Sequence, residues 1–467
     1  MTTLAAPPPA ATASRAMGAV LAAVSIPMFM VTLDNLVVTT ALPVIKTSLK
    51  ASLTDLQWFV NAYTLSFAAL LLTLSALGDR IGRRRLFLAG IALFTIASAA
   101  CALATEPWQL TAARAVQGAA GAAVMPLSLT LLAAAVPDSA RNAAVGIWSG
   151  ISGLGVAVGP VIGGAVTEGL HWTWIFWLNV PVGLVALPLA AAVLKESRGG
   201  TGRLDPLGLV LSAAGVLALV WGVVHGEDHG WTSTSVLTAL VGGAVLLGAF
   251  VAWERRAATP MLPLGFFRSR GFTAVNAVAF LFSAGVFGAV FLLAQFFQVS
   301  LGASPLEAGL RTLPWTMAPM LVAPLAGLVL IRRFGARALI VTGLVLLAVA
   351  LGWLAAVSAV GVGYGTVVVP FVLAGVGMGL EFAPMSTVAL ASVPADRQGI
   401  ASGTVNTMRQ LGVAVGVAVL ASVFSAYGDY GSPAGFAAGL QPAVWVGAAI
   451  AAAAALIGFL LPRTTRV

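Results

Sequence analysis

The sequence predicts an all-α polytopic membrane protein. Its fourteen transmembrane helices form two six-helix bundles with an inserted two-helix hairpin, and both termini are cytoplasmic. Three observations predict this. Hydrophobic residues make up 60% of the 467-residue chain and charged residues only 8%, against roughly 25% charged in soluble domains. Apolar runs recur along the chain, and the basic residues between them fall almost entirely on one side. The last third repeats the pattern of the first.

A membrane-spanning helix needs about 20 mostly apolar residues. The stretches that meet this are 17–43, 55–78, 86–104, 108–136, 141–168, 173–194, 205–224, 233–253, 271–297, 304–331, 337–357, 365–392, 398–426 and 441–461. With the N-terminus inside, 19 of the 24 lysines and arginines lie on the cytoplasmic face. Only Lys46 and Lys50 lie outside, and Arg114, Arg311 and Arg409 fall within spans. Basic residues in short loops mark the cytoplasmic side, so a wrong count would scramble this asymmetry. The competing count is twelve spans, with 205–253 re-entrant or peripheral. The Ala- and Pro-rich segment 1–16 is expected to be a disordered tail. It is not expected to be a signal peptide, because the apolar run after Arg15 is too long and passes through Asp34 without a small-residue cleavage site.

The repeat fixes the domain division. Val136-Pro137 is followed by Leu154-Gly155-Val156-Ala157-Val158-Gly159, and Val393-Pro394 is followed at the same spacing by Leu411-Gly412-Val413-Ala414-Val415-Gly416. This maps the fourth and fifth spans onto the twelfth and thirteenth. It also maps the basic loop after the second span onto Arg332-Arg333-Phe334-Gly335-Ala336-Arg337. The N-terminal bundle is 17–194, the hairpin 205–253, the C-terminal bundle 271–461 and the tail 462–467. Two six-span halves around a central site suit alternating access.

Composition excludes other classes. The net charge of +9 sits in loops on one face, so it does not signal nucleic-acid binding. Cys101 is the only cysteine, which rules out an internal disulfide. His171, His225 and His229 lack metal-ligand spacing. No HExxH, GxSxG or GxxxxGK[ST] string is present, so neither an enzyme nor a nucleotide-driven machine is expected, and no cofactor or metal is implied. Energy would come from an ion gradient. Scarce lysine beside abundant Arg, Ala, Gly and Val points to a GC-rich bacterial genome.

The loop Gly78-Asp79-Arg80-Ile81-Gly82-Arg83-Arg84-Arg85 resembles the loop between spans two and three of the major facilitator superfamily of transporters. That family usually has a glycine four residues before the aspartate, where this chain has Ser75. The fifth span carries Gly155-x-x-x-Gly159-Pro160-x-x-Gly163-Gly164. Its small residues allow close helix contact, and the string resembles the antiporter motif of drug:H⁺ exporters, which implies a gating interface. Arg114-Ala-Val-Gln117-Gly118 resembles the fourth-span motif, whose arginine is linked to proton transfer. Trp172 to Gly183, ending Asn179-Val-Pro181-Val-Gly183, resembles the fourteen-span exporters specifically. Leu33-Asp34 to Pro43 resembles their first-span motif, with Leu36 and Thr39 where Thr and Asn are usual. The resemblance covers about 17–461. It implies the superfamily fold, a multi-pass cell-membrane location, and export of antibiotics, dyes and cationic antiseptics in exchange for protons. It also implies that Asp79 and Arg83 act as a conformational latch.

Charges inside spans are costly and usually paired or functional. At about 1.5 Å per residue, Asp34 and Arg114 lie at similar depths in the first half, and Glu381 and Arg409 in the second. One carboxylate–arginine couple per half is therefore expected, as the proton-coupling groups. In the mechanism so read, proton and substrate cation compete directly for the carboxylate. Glu307 and Arg311 read as an i,i+4 structural pair. Asn61, Tyr63, Gln117, Met125, Phe291, Gln295, Phe296 and Trp315 are the expected cavity lining. The functional expectation is a monomeric proton-coupled exporter of small molecules. The alternatives are a dedicated exporter of one metabolite or self-made antibiotic, or a membrane sensor.

Overall fold

A computed structural model describes residues 10–198, 205–257, 260, 262, 264–393 and 398–463. All regular secondary structure among the described residues is helical, without strands. Helices α1 (Ala10–Leu49), α2 (Leu53–Ile81), α3 (Arg83–Ala102), α4 (Pro107–Ala135) and α5 (Asp138–Gly169) come first. A short α6 (Trp174–Trp177) and α7 (Asn179–Val193) follow. Then come α8 (Pro206–Val224), α9 (Gly226–His229) and α10 (Thr234–Glu254). The last set is α11 (Arg270–Val299), α12 (Pro305–Leu325), α13 (Ile331–Phe334), α14 (Ala336–Val357), α15 (Tyr364–Ala391), α16 (Gln398–Tyr427) and α17 (Pro433–Gly458).

Local chemistry sets these boundaries. Ser52 and Asp55 form a capping box at the start of α2, satisfying backbone donors that helix geometry leaves free. Proline opens α4, α8, α12 and α17, where its missing N–H costs nothing. The two basic loops each turn on one glycine of positive φ, Gly82 at 124° and Gly335 at 81°, a conformation that a side chain disfavours.

Twelve described helices are long and apolar enough to cross a membrane, or thirteen when α2, bent by 48°, counts as one span. The expected tenth span is the one outside that count. Pro314, Pro319 and Pro324 interrupt α12, and a π turn at Ala326–Leu330 separates it from α13. Each proline removes a backbone donor. The sixth span runs continuously as Trp174–Val193, with helical backbone angles at Leu178 between α6 and α7. Helix α1 includes Ala10–Ala16, part of the segment expected to be a tail; Ala10-Ala-Thr-Ala-Ser-Arg-Ala16 is rich in the strongest helix former. Residues 1–9, Arg203, Pro394, Arg397 and Arg466 lie outside the described residues.

Helix pairing repeats along the chain. In the first set α1 packs on α5 and α7, and α4 on α2 and α3. In the last set α11 packs on α16 and α17, and α15 on α12 and α14. The two sets meet through α5 against α12 and α2 against α16. Helices α8 and α10 pair with each other, and α8 leans on α2 and α16 at that seam. α11 is the most enclosed of the candidate spans and α10 the least.

Candidate functional site

Five helices meet at Asp34. The side chains of Asp34 and Arg114 are each 1% exposed. Arg114 Nη1 donates to Asp34 Oδ2 at 2.5 Å and to Gln117 Oε1 at 2.7 Å. Its Nε donates to the Phe59 carbonyl at 3.1 Å. Asp34 Oδ1 accepts from Gln117 Nε2 and Asn179 Nδ2, both at 2.8 Å. The same two amides donate to Ser98 Oγ at 2.8 and 3.3 Å. The Arg114 guanidinium lies over the Tyr63 ring, 4.3 Å from its centroid. The first expected couple is thus in contact and every oxygen of the carboxylate has a donor. A buried pair so satisfied is tolerable, but removing one partner typically costs about 3–5 kcal/mol.

The second expected couple is not formed. Glu381 on α15 is fully buried, and neither carboxylate oxygen has a hydrogen-bond partner. Arg409 on α16 lies over the Phe382 ring at 4.6 Å and makes no ion pair with Glu381. Equal depth does not fix the direction a side chain faces. Adjacent helical residues point about 100° apart, so Phe382, and not Glu381, meets Arg409. A buried carboxyl without donors is costly as an ion, which marks Glu381 as the odd group of the last helix set.

Between the two helix sets lies a cavity of about 140 Å³. Asn35, Tyr63 and Met125 line one side, and Phe287, Phe382 and Arg409 the other. Tyr63 and Met125 are where the sequence reading expects them; the other six lining residues are elsewhere. Gln117 belongs to the Asp34 network. Phe291 and Phe296 are 1% exposed within the packed interior. Gln295 donates to the Phe291 carbonyl at 2.7 Å and accepts from Tyr430 Oη at 2.6 Å. Trp315 packs on Phe371 at 5.5 Å. Asn61 is fully buried with both amide atoms unpartnered. Four of these missed positions lie on α11 and α12, which are packed on several sides, so polarity and size do not reveal which face is open. Neither Asp34 nor Glu381 lines the cavity, and direct competition between proton and substrate for either carboxylate finds no support in this arrangement.

The glycines of the fifth span serve two contacts. Gly155, Gly159 and Gly163 face α1. A Cβ at Gly163 would come 2.7 Å from the Val37 carbonyl, one at Gly159 2.9 Å from Leu36 Cβ, and one at Gly155 3.3 Å from Phe29 and Thr32. Gly164 and Pro160 face α12. A Cβ at Gly164 would overlap the Pro305 carbonyl, and one at Gly309 the Pro160 carbonyl. Nearby, Thr316 Oγ1 donates to the Ala157 carbonyl at 3.0 Å and the Leu306 N–H to Glu168 Oε2 at 2.9 Å. Gln298 Nε2 donates to the Thr40 carbonyl at 2.8 Å, and Lys46 Nζ lies over the Tyr430 ring at 4.6 Å. These links between the helix sets gather toward the end remote from the basic loops.

At the other end, Arg83 Nε pairs with Asp79 Oδ1 at 2.6 Å, and Arg84 Nη2 donates to the Ala191 carbonyl. Glu196 accepts from the backbone N–H groups of Arg84 and Arg85 at 3.0 and 3.2 Å, capping α3 from the segment after α7. Gly78 packs against Leu127, and Arg80 is exposed. Glu307 and Arg311 form the expected i,i+4 pair at 2.5 Å.

Residues 24–417 and 275–467 match the family model of the Major Facilitator Superfamily. The chain belongs to the major facilitator superfamily. It is 38% identical over 410 residues to the multidrug resistance protein Stp of Mycobacterium tuberculosis (strain CDC 1551 / Oshkosh), covering 87% of this chain and 76% of that protein. It is 36% identical over 402 residues to the tetracenomycin C resistance and export protein of Streptomyces glaucescens, covering 86% and 74%. In fold it is similar to a POT family transporter crystallised with 5-aminolevulinic acid. The TM-score is 0.71 over 95% of each chain at 16% identity. This superfamily member is therefore a multi-pass protein of the cell membrane. The site residues missed by the sequence reading include Asn35, Asn179, Glu196, Phe287, Phe382, Asn406 and Gln410. A signal existed for some. Asn406, Arg409 and Gln410 form a polar stripe at helical spacing in an apolar run, and Glu196 is a lone acid among Lys195, Ser197 and Arg198.

Proposed function

We propose that the protein is a proton-coupled antiporter that exports drugs or antibiotics by alternating access. The observation that carries this reading is the buried Asp34–Arg114 couple, whose stacking partner Tyr63 lines a cavity between two helix sets. The functions of the two relatives, multidrug resistance and tetracenomycin C export, support the substrate class. Fourteen spans are proposed, with α12, the π turn and α13 as the tenth, α8 and α10 as a hairpin between two six-helix bundles, and both termini in the cytoplasm. The bundles touch at the end away from the basic loops, so the state is inward-facing. Each chain carries both bundles, and a monomer suffices.

Coupling would run through the wall of the cavity. Protonating Asp34 neutralises the partner of Arg114 and leaves the guanidinium held by Gln117, the Phe59 carbonyl and the Tyr63 ring. Movement of Arg114 is then felt by Tyr63 and by Asn35, the neighbour of Asp34 on α1. Glu381 is proposed as a second protonation site in the other bundle, acting on the cavity through Phe382 and Arg409.

The test is uptake of a lipophilic dye into proteoliposomes with an acidic lumen, against protein-free vesicles. Gradient-driven uptake by the wild type is expected. Glu381→Gln is expected to remove the driven component while dye exchange at equal pH persists. Normal uphill uptake by Glu381→Gln would remove Glu381 from the mechanism. Uptake indifferent to the gradient in the wild type would overturn proton coupling.

A further inference from the structure

We infer that Arg409 makes the central cavity selective for neutral and anionic aromatic compounds, and against cations, with the guanidinium as their anchor. This deepens the export reading and rests on it for the claim that cavity ligands are transported.

Among the described residues, the only ionisable groups lining the cavity are Arg409 and the Tyr63 hydroxyl, and no carboxylate faces it. Asp34 is turned into its own bundle and saturated by Arg114, Gln117 and Asn179. Glu381 is enclosed in α15 and reaches no donor. Arg409 forms no ion pair or hydrogen bond through its side chain within the described residues, and Phe382 covers one face of its guanidinium. Glu381 is near enough to act on Arg409 through space but makes no ion pair or hydrogen bond with it, so five N–H donors in a planar fork, with one face stacked, remain to suit an oxyanion or a carbonyl. Beside it, Asn35 and Gln410 also face the cavity and make no side-chain hydrogen bond within the described residues. Asn406 already spends an amide hydrogen on the Ser402 carbonyl at 3.0 Å. The rest of the wall is aromatic or apolar, with Phe67, Phe287 and Met378 prominent. A ring would pack there, and its acidic or carbonyl substituent would reach the guanidinium. A cation would meet a like charge with no counter-charge in the wall, an arrangement that selects by repulsion as well as attraction.

An isosteric series tests this: 2-naphthoate, its methyl ester and 2-naphthyl-trimethylammonium, titrated calorimetrically into the purified full-length protein. Naphthoate and the ester are expected to bind, with the ammonium compound at least tenfold weaker than naphthoate. Arg409→Gln is expected to weaken naphthoate roughly 10- to 100-fold, the loss of a charge-assisted hydrogen bond, and to leave the ester within a few-fold. Arg409→Lys, which keeps the charge, is expected to keep the order of the series. A monodisperse, cooperatively unfolding Arg409→Gln protein separates lost recognition from misfolding, and the lysine variant carries the test if it misfolds. Equal binding of the ammonium compound and naphthoate would overturn the inference. So would an unchanged order in Arg409→Gln, or no binding by any of the three. If naphthoate binds in this Arg409-dependent way but nothing is moved under a pH gradient, the cavity assignment stands and the export reading fails.

Discussion

Asp34→Asn is expected to abolish gradient-driven export while the protein remains folded and still binds substrate. Asparagine keeps the shape of the side chain, and its Oδ1 still accepts from Asn179 and Gln117. It cannot carry an exchangeable proton, and it leaves Arg114 without a counter-ion in a site 1% exposed. The loss of one buried partner predicts destabilisation of about 3–5 kcal/mol, visible as a lowered melting temperature. Transport is expected to fall to the level of protein-free vesicles under a pH gradient, with downhill exchange retained. Asn179→Ala is the milder control. It removes one of three donors to the carboxylate and keeps the titrating group, so driven transport is expected to persist at a reduced rate. Full uphill transport by Asp34→Asn would place the proton elsewhere.

Gly164→Val is expected to arrest the cycle by a different route. Gly164 lies against the backbone of Pro305 and Leu306 at the start of α12, a contact made in the proposed inward-facing state. Backbone cannot step aside as a flexible side chain can. Overpacking of this kind costs about 1–3 kcal/mol, and the cost falls on the state in which α5 and α12 touch. Since about 1.4 kcal/mol is tenfold in a population ratio, the variant is expected to shift toward the outward-open state by roughly ten- to a hundredfold. Spin labels at Lys50 and Gly302, on the rims proposed to face outward, are expected to report a longer distance, with transport dropping in parallel. Gly150→Ala, on the same helix but with nothing within 4 Å of the added carbon, is expected to behave as wild type. If the two variants behaved alike, close packing of Gly164 on α12 would not be what closes the outer side.

Span positions follow from apolar run length and from the placement of arginines, and both are local properties. The Asp34–Arg114 contact was also legible, because Asp34 is the one charge deep within α1 and Arg114 the one charge of α4, at matching depth. The same logic failed for Glu381 and Arg409. Their depths agree, but the direction each side chain faces depends on how α15 and α16 rotate against each other, and Phe382 occupies the contact. The cavity lining failed for the same reason. Gln295 and Trp315 are the residue types that line polyspecific sites, yet both are satisfied in the interior, by Tyr430 and by Phe371. The role of the fifth-span glycines was visible as a small-residue face. That the face splits between α1 and α12, one partner in each helix set, was not. The presentation of Asn179 to Asp34 left only a weak trace, since the Asn-Val-Pro string reads equally as part of an ordinary span.

The measurement that reaches the central claim most directly is proton release on substrate binding. Purified protein in weakly buffered detergent solution would be mixed with a saturating transported substrate while a soluble indicator follows the pH. If substrate and proton exclude each other through the Asp34–Arg114 couple, the wild type releases protons as it binds, and Asp34→Asn binds with that release reduced or lost. Equal release by the wild type and Asp34→Asn, or binding without release by the wild type, would contradict a proton-coupled antiporter that works through Asp34.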